Sequence, residues 1–406
     1  MFSSQFFIEN RLRVMQESDA DVIVLPANGL LQRSADITFP FRQDSNFWYV
    51  TGCDIADAVV VLDCKKQTSF LILPYRLKHR DLWEGELDTA SLSAASGIAA
   101  IYPYKKGWEV LVATIAKAHT VGSVLPPRSY EPNYGMYINP AKLKFARKLK
   151  SIANKKLIDV RRVFAKRRSV KSPEEINAIK KAVQITEQSL KHLQQQMNTM
   201  NTEKDIEIFL SHAFQKNGAS GHAYDPIIAS GKNATTIHYE HNNATLQKNQ
   251  LILLDVGASY NYYAADVSRT WAYATPTKRQ ADVYAAVKEV HSFALNALRP
   301  GVVLRDYEAA VRTCMNEHLE QLGLMKRTNT KLSTVYYPHL TSHFLGLDVH
   351  DSGLYDSPLE AGMVITVEPG IYIPEESIGV RIEDDVVVTA GGVDNLSKNI
   401  PYNLLY

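Results

Sequence analysis

Cysteine is scarce in this chain. There are three among 406 residues, Cys53, Cys64 and Cys314, odd in number and scattered. That excludes a disulfide framework and fits a reducing compartment, so a cytoplasmic protein is expected. Net charge is nearly absent too: 45 Lys and Arg against 43 Asp and Glu leave +2, which gives no reason to expect nucleic acid or an anionic membrane as partner. Long apolar runs are missing, so no segment is expected to span a bilayer. The opening MFSSQFFIENRLRVMQ lacks the basic stretch and apolar core of a signal peptide. No repeat of solenoid length is visible. What remains is a globular composition, 45% hydrophobic and 22% charged, in a chain too long for one ordinary core, and two domains are the natural expectation.

The N-terminal part alternates short β-branched runs, DVIVLP, DAVVVLDC and SFLILP, with a helical stretch EVLVATIAKAH from Glu109, as an α/β domain would. A Lys- and Arg-rich segment, KLKSIANKKLIDVRRVFAKRRSVKSPEE, reads as a solvated face and ends in a strong helix start. There Ser172 can cap, Pro173 suits the first turn and Glu175 completes a capping box. Ile176, Ile179, Val183 and Leu190 then keep helical spacing, and a domain boundary is placed near residue 165. Further helices are expected around Thr202–Gln215 and Lys278–Leu298.

The unusual polar residues fall in the strands. LILLDVG and YYAADVSRTW, separated by a turn at Gly257–Asn261, read as a hairpin of buried strands. A symmetric even-length turn would set Asp255 directly opposite Asp266, with Cβ atoms roughly 4.5–5.5 Å apart. Two ionised carboxylates in an apolar surround repel, and only a shared proton or a cation rescues them. Taken alone, both read equally as turn aspartates facing solvent. A second stretch repeats the pattern: MVITVEPGIYI ends a strand in Glu368, and GVRIEDDVVVT returns with Glu383, Arg381 falling on the same face by alternation. That arginine suits either a structural ion pair or support of a ligating carboxylate. The third element, HLTSHFLGLDVHD, carries His339, His343 and His350; His238 in TTIHYEHNN is a weaker candidate, and His241 beside it reads as solvated. Four buried carboxylates and a histidine would form a mostly oxygen donor set, suited to a pair of divalent ions such as Mn²⁺, with Zn²⁺ or Co²⁺ as alternatives, and hydrolysis is the implied chemistry.

In this order, LLDVG, ADVSRTW, SHFLGLDVHD, VEPGIYI and GVRIEDD resemble the pita-bread metallopeptidases, and among them aminopeptidase P. FPFRQDSNFWYVTG resembles the start of that family's non-catalytic domain. The resemblance implies an α+β chain with a smaller α/β N-terminal domain over 1–164 and a catalytic pita-bread domain over 165–406. It implies hydrolysis of the N-terminal Xaa-Pro bond of peptides by a homo-oligomer, dimer or tetramer. Carried over residue by residue, Asp255 would bind one ion, His343 and Glu368 the other, and Asp266 and Glu383 both. Glu368 would also carry the proton, and His238, His339 and His350 would hold substrate and the developing oxyanion. Tyr372 and Arg381 would support the ligands, and Trp83 would lie near a neighbouring subunit's site. One departure is Leu340, where the family usually has glycine after the first histidine of the loop. Prolidase shares the ligand set but cleaves only dipeptides. The long N-terminal region disfavours methionine aminopeptidase, and the intact ligand set disfavours metal-free creatinase-like enzymes and non-catalytic binding modules.

Overall fold

The computed structural model describes residues 2–77, 79–127, 130–154, 156–326 and 333–406. The chain divides into two compact units, Met1–Arg167 and Arg168–Tyr406. Among the described residues no helix is long and apolar enough to cross a membrane.

The N-terminal unit is built on a six-stranded mixed sheet. Val22–Pro26 lies in its interior, antiparallel to Val59–Asp63 on one side and parallel to Thr120–Ser123 on the other. Val59–Asp63 continues antiparallel to Thr68–Ile72, which runs parallel to the edge strand Ala100–Tyr102, while Lys156–Asp159 lies parallel on the opposite edge. The period of two is visible in the packing. Val22, Val24, Val59, Val61, Phe70 and Ile72 share one core with Leu111 and Ile115 of the helix Tyr104–Ala116 and with Phe145 and Leu149 of the helix Pro140–Ala153. The first of these helices begins five residues before Glu109, because Pro103 stands at its N-cap and Tyr104 opens the first turn.

The C-terminal unit is built twice over. In its first half the helix Pro173–Gln196 starts with the expected capping box, Ser172 Oγ accepting from Glu175 N–H while Glu175 accepts from Ser172 N–H. A second helix, Glu203–Lys216, opens on another capping box, Thr202 with Asp205. Both pack on a three-stranded sheet of Ile227–Ser230, Leu251–Val256 and Val267–Ala272, through Ile185, Leu193, Leu210 and Phe214 against Ile228, Ile252, Leu254 and Trp271. The second half repeats the plan with helices Lys278–Ala297 and Leu304–Gln321 and a sheet of Val364–Val367, Asp384–Thr389 and Gly392–Asn395. Its core joins Val283, Val287, Val290, Val311 and Met315 to Ile365, Val367, Val386 and Val388. Each such fully buried aliphatic side chain contributes about 1.5–3 kcal/mol, and these two cores hold the strands that present the acids. This is the pita-bread arrangement.

Candidate metal centre and active site

Each half extends its sheet into a hairpin that is interrupted partway, and the acids sit at the interruptions. In the first, Leu251–Val256 pairs with Val267–Ala272 so that Asp255 faces Ser268. The ladder resumes with Ser259 opposite Ala264 and closes at Asn261 and Tyr262, both at positive φ (47° and 73°). The expected pairing of Asp255 with Asp266 is therefore corrected: its partner is Ser268, two residues further on, because the turn lies at Asn261–Tyr262, not over Gly257–Asn261. The break falls at Gly257, where a Cβ would stand 1.7 Å from the carbonyl oxygen of Ala265. In the second hairpin Val367 faces Asp384 and Gly370 faces Arg381, which leaves Glu368 and Glu383 across from each other between the two ladders.

The two aspartates still meet, through a residue that the sequence did not single out. The hydroxyl of Tyr224 lies 2.5 Å from Asp255 Oδ1 and 2.6 Å from Asp266 Oδ1. Arg381 crosses from the second hairpin to the first: one Nη donates to Asp255 Oδ2 (2.5 Å), the other to the Tyr372 hydroxyl (2.7 Å), and Nε to Ser268 Oγ (2.9 Å). Ser268 in turn donates to Glu383 Oε2 (2.7 Å). Ser268 was within reach of sequence reasoning, since alternation puts it on the face of Asp266; Tyr224 carried no such signal. Behind them Arg269, fully buried, donates to the carbonyl of Glu383 (2.7 Å) and to Asp384 Oδ1 (2.8 Å), fixing the returning strand.

His343 approaches from the other side. Its Nε2 is 3.4 Å from both Asp266 Oδ2 and Glu368 Oε1, and one ligand atom each from Asp266, His343 and Glu383 lie within 4.8 Å of one another. His343 Nδ1 is 3.1 Å from the carbonyl of Phe344, which as acceptor requires the proton on Nδ1 and turns the Nε2 lone pair toward the carboxylates. His339 is held in the same tautomer: Nδ1 donates to the carbonyl of Leu340 (2.8 Å) and Nε2 accepts from the Tyr372 hydroxyl (2.8 Å). Its ring is 3.9 Å from Glu368 Oε2. Leu340 is exposed and its φ is not positive, so the loop carries a side chain there without backbone strain. His350 stacks edge-on against His343, ring centroids 4.5 Å apart.

Asp255, Asp266, His343, Glu368, Glu383, Arg381, His238 and His350 line one cavity of about 200 Å³, with Tyr224, Asp225, Ile237 and Glu240. His238 is exposed at its rim, and His241, also exposed, packs edge-on to Tyr239. Trp83 belongs to the N-terminal unit, on the short helix Arg80–Glu84, and is 84% exposed. A larger cavity, about 370 Å³, lies in the N-terminal unit; Lys142 and Asp44 in its wall pair with each other, and no cluster of acids or histidines lines it.

The electrostatics identify what the smaller cavity is built for. Burial pushes the carboxyls of Asp266, Glu368 and Glu383 well above their usual range, and repulsion from the neighbouring acids raises them further: Asp255 on Asp266, Glu383 on Glu368, Asp266 on Glu383. Burial lowers the imidazole of His343, takes His339 down to about 3 with help from Arg381, and takes His350, which keeps one open face, to about 4 with help from His343. Four acids thus converge with a single guanidinium among them, and a neutral imidazole aims its lone pair at two carboxylates. Arg381, the Tyr224 hydroxyl and Ser268 Oγ meet only part of that excess of electron pairs. A donor set of carboxylate oxygens and one imidazole, with no thiolate, fits divalent cations.

Fold and site together define a metallohydrolase whose cation site is shared by two halves of one domain. The chain belongs to metallopeptidase family M24, whose family model matches residues 177–390; residues 7–122 match the aminopeptidase P N-terminal domain. Among curated proteins, the chain is 32% identical to Xaa-Pro aminopeptidase 3 of Mus musculus over 95% of this chain and 79% of the mouse protein. It is 32% identical to the Xaa-Pro aminopeptidase of Escherichia coli K12 over 91% of this chain and 88% of that protein. Among solved structures, E. coli aminopeptidase P with the inhibitor Pro-Leu superposes with a TM-score of 0.86 at 28% identity, covering 99% of this chain and 97% of that one.

Proposed function

We propose that the chain is a dinuclear aminopeptidase that releases the first residue from peptides with proline in second position. The observation that carries this reading is the convergence of Asp255, Asp266, His343, Glu368 and Glu383 on one cavity, His343 Nε2 lying 3.4 Å from two of the acids. The Xaa-Pro aminopeptidases among its relatives support the substrate class. Catalysis is assigned to residues 165–406, with residues 1–164 as a non-catalytic domain.

Asp255 would hold one ion, His343 and Glu368 the other, and Asp266 and Glu383 would bridge. The oxygen-rich set favours Mn²⁺, with Zn²⁺ or Co²⁺ as alternatives. Two divalent ions supply Lewis acidity for the attacking water and the scissile carbonyl. The protein does the rest. Glu368 takes the proton from the water and delivers it to the proline nitrogen, which must be protonated to leave. His350, kept neutral by burial, and His238, both on the cavity wall, donate to the oxyanion, while Tyr372 fixes the ring of His339 beside Glu368. The peptide bond before proline lacks an N–H, and none of these contacts needs one.

The deciding assay compares Xaa-Pro-Yaa, Xaa-Pro and Xaa-Ala-Yaa on Mn²⁺-loaded protein. Cleavage of the first well above the third supports the reading. Cleavage of the dipeptide alone makes the protein a prolidase, and equal rates with alanine and proline refute proline specificity. The three free cysteines are consistent with a cytoplasmic location. Exposure of Trp83 beside Leu82, itself 90% exposed, supports a homo-oligomer with this surface at an interface. A fully active monomer by light scattering, or unchanged peptide binding in Trp83→Ala, refutes that assignment.

A further inference from the structure

The loops that carry His238 and His339 have apolar anchors, Ala234 and Tyr239 in the first and Tyr337 and Phe344 in the second. Each is tied in addition to the second helix of its half. In the first half, Glu203 opens the helix Glu203–Lys216 and is fully buried. Its carboxylate accepts five hydrogen bonds, all from the segment around His238: Ser230 N–H (2.7 Å), Ser230 Oγ (2.8 Å), Asn233 Nδ2 (3.1 Å), Tyr239 OH (2.9 Å) and Ala244 N–H (2.9 Å). One donor would satisfy a helix terminus; five, spread over fifteen residues, fasten the whole loop. Tyr239 is drawn inward, and His238 beside it lines the cavity.

The second half uses the helix Leu304–Gln321 in the same way. Glu308 sits in its interior, where the helix itself needs no carboxylate. It accepts from the N–H of Thr341 (3.0 and 2.8 Å to its two oxygens) and of Ser342 (2.9 Å). One turn further on, Arg312 donates to the carbonyls of Tyr337 and His339, 3.0 Å each, and to Ser333 Oγ (3.4 Å). Opposite charges a turn apart thus hold the N–H groups and the carbonyls of one short segment, with His339 between them. A carboxylate taken out of water is costly unless its lone pairs are satisfied, so each loop is held to the one conformation that satisfies them.

We propose that Glu203 and Glu308 are positioning residues: one carboxylate on the second helix of each half fastens the loop that presents His238 or His339 beside the acids. This rests on reading the cavity as a peptidase site. The test is a pair of double-mutant cycles on an Xaa-Pro-Yaa tripeptide with Mn²⁺-loaded protein. Glutamine keeps the volume of glutamate but turns an amide N–H toward N–H donors. Glu203→Gln and Glu308→Gln are each expected to lower kcat/KM by ~10–100-fold, the effect typical of residues that orient a site. In a His238→Ala or His339→Ala background respectively, the same change is expected to cost less than about twofold, because its target is gone. Losses that multiply, or Gln variants at the wild-type rate, overturn the proposal. Should a Gln variant fail to fold, Tyr239→Phe and Arg312→Lys, which each remove less of the network, carry the same cycles. Amide hydrogen exchange gives a readout independent of turnover: Ala244 N–H in Glu203→Gln, and Thr341 and Ser342 N–H in Glu308→Gln, are expected to exchange faster than in wild type. If wild-type protein does not cleave the tripeptide, the peptidase reading falls while exchange still decides the loops, and unchanged protection overturns the proposal.

Discussion

The two hairpins of the C-terminal unit follow one plan with different parts. The first carries aspartates, and its ladder breaks at Gly257; the second carries the longer glutamates and breaks between Val367 and Gly370. The first turns in two residues at positive φ, the second through a short 3₁₀ turn at Pro374–Glu376 with Ser377 at φ 54°. More instructive is what each lends the other. Arg381 of the second hairpin binds Asp255 of the first, and Ser268 of the first binds Glu383 of the second. Neither hairpin completes the site by itself, so a cation held there bonds the two halves together as well as serving chemistry.

The largest expected effect breaks the comparison at its shared residues. Asp266→Ala or Glu383→Ala, one from each hairpin, should both abolish metal binding and lower kcat/KM by more than the ~100-fold that loss of a merely supporting residue brings. Elemental analysis giving near-normal metal in either variant would contradict the bridging roles. Next come the glycines. A Cβ at Gly257 would stand 1.7 Å from the carbonyl oxygen of Ala265, and one at Gly379 would stand 1.9 Å from that of Ala234. Both Gly→Ala changes should destabilise by about 3 kcal/mol or more in chemical denaturation, each through backbone that must move. A loss confined to one of them would show that the hairpins are not equally rigid.

Arg381→Gln removes the guanidinium contacts from the second hairpin to Asp255 and Ser268 of the first while leaving every candidate ligand in place. It should cost ~10–100-fold in kcat/KM with metal still bound; an effect as large as that of Asp266→Ala would move Arg381 from support into the reaction itself. The smallest effect is on pH-dependent stability. In metal-free protein Asp266, Glu368 and Glu383 have folded-state pKa values above their unfolded ones. Their contribution is therefore intact below the unfolded carboxylate range and is lost as pH rises through the raised folded values, whereas His339, His343 and His350, lowered by burial, act the other way only as pH falls through the unfolded imidazole range, so chelated protein should lose melting temperature as pH rises from neutral. Saturating Mn²⁺ should reverse that slope, because a cation replaces the protons. A melting temperature that rises with pH in the chelated protein would contradict mutual repulsion as the state of the empty site.

Much of this was legible in residue order. Ser172, Thr202 and Thr277 each open a helix with a partner three residues on, and capping is local chemistry that a tetrapeptide already contains. Apolar runs marked the buried strands that lead to Asp255, Asp266, Glu368 and Glu383, and alternation put Arg381 on the face of Glu383, since a strand's period of two depends on nothing beyond the strand. Such reasoning stops at register. Asp255 faces Ser268 rather than Asp266 because the chain turns at Asn261–Tyr262 and Gly257 admits the Ala265 carbonyl, and alternation constrains faces without saying which residues oppose. The bonds that finish the site, Arg381 to Asp255, Ser268 to Glu383, Tyr224 to both aspartates, and Glu308 to the histidine loop, join segments dozens to more than a hundred residues apart. The sequence by itself determined which residue types would be buried and on which face. Only the tertiary structure decided which of them meet, because those contacts exist once two separately packed cores bring their hairpins together.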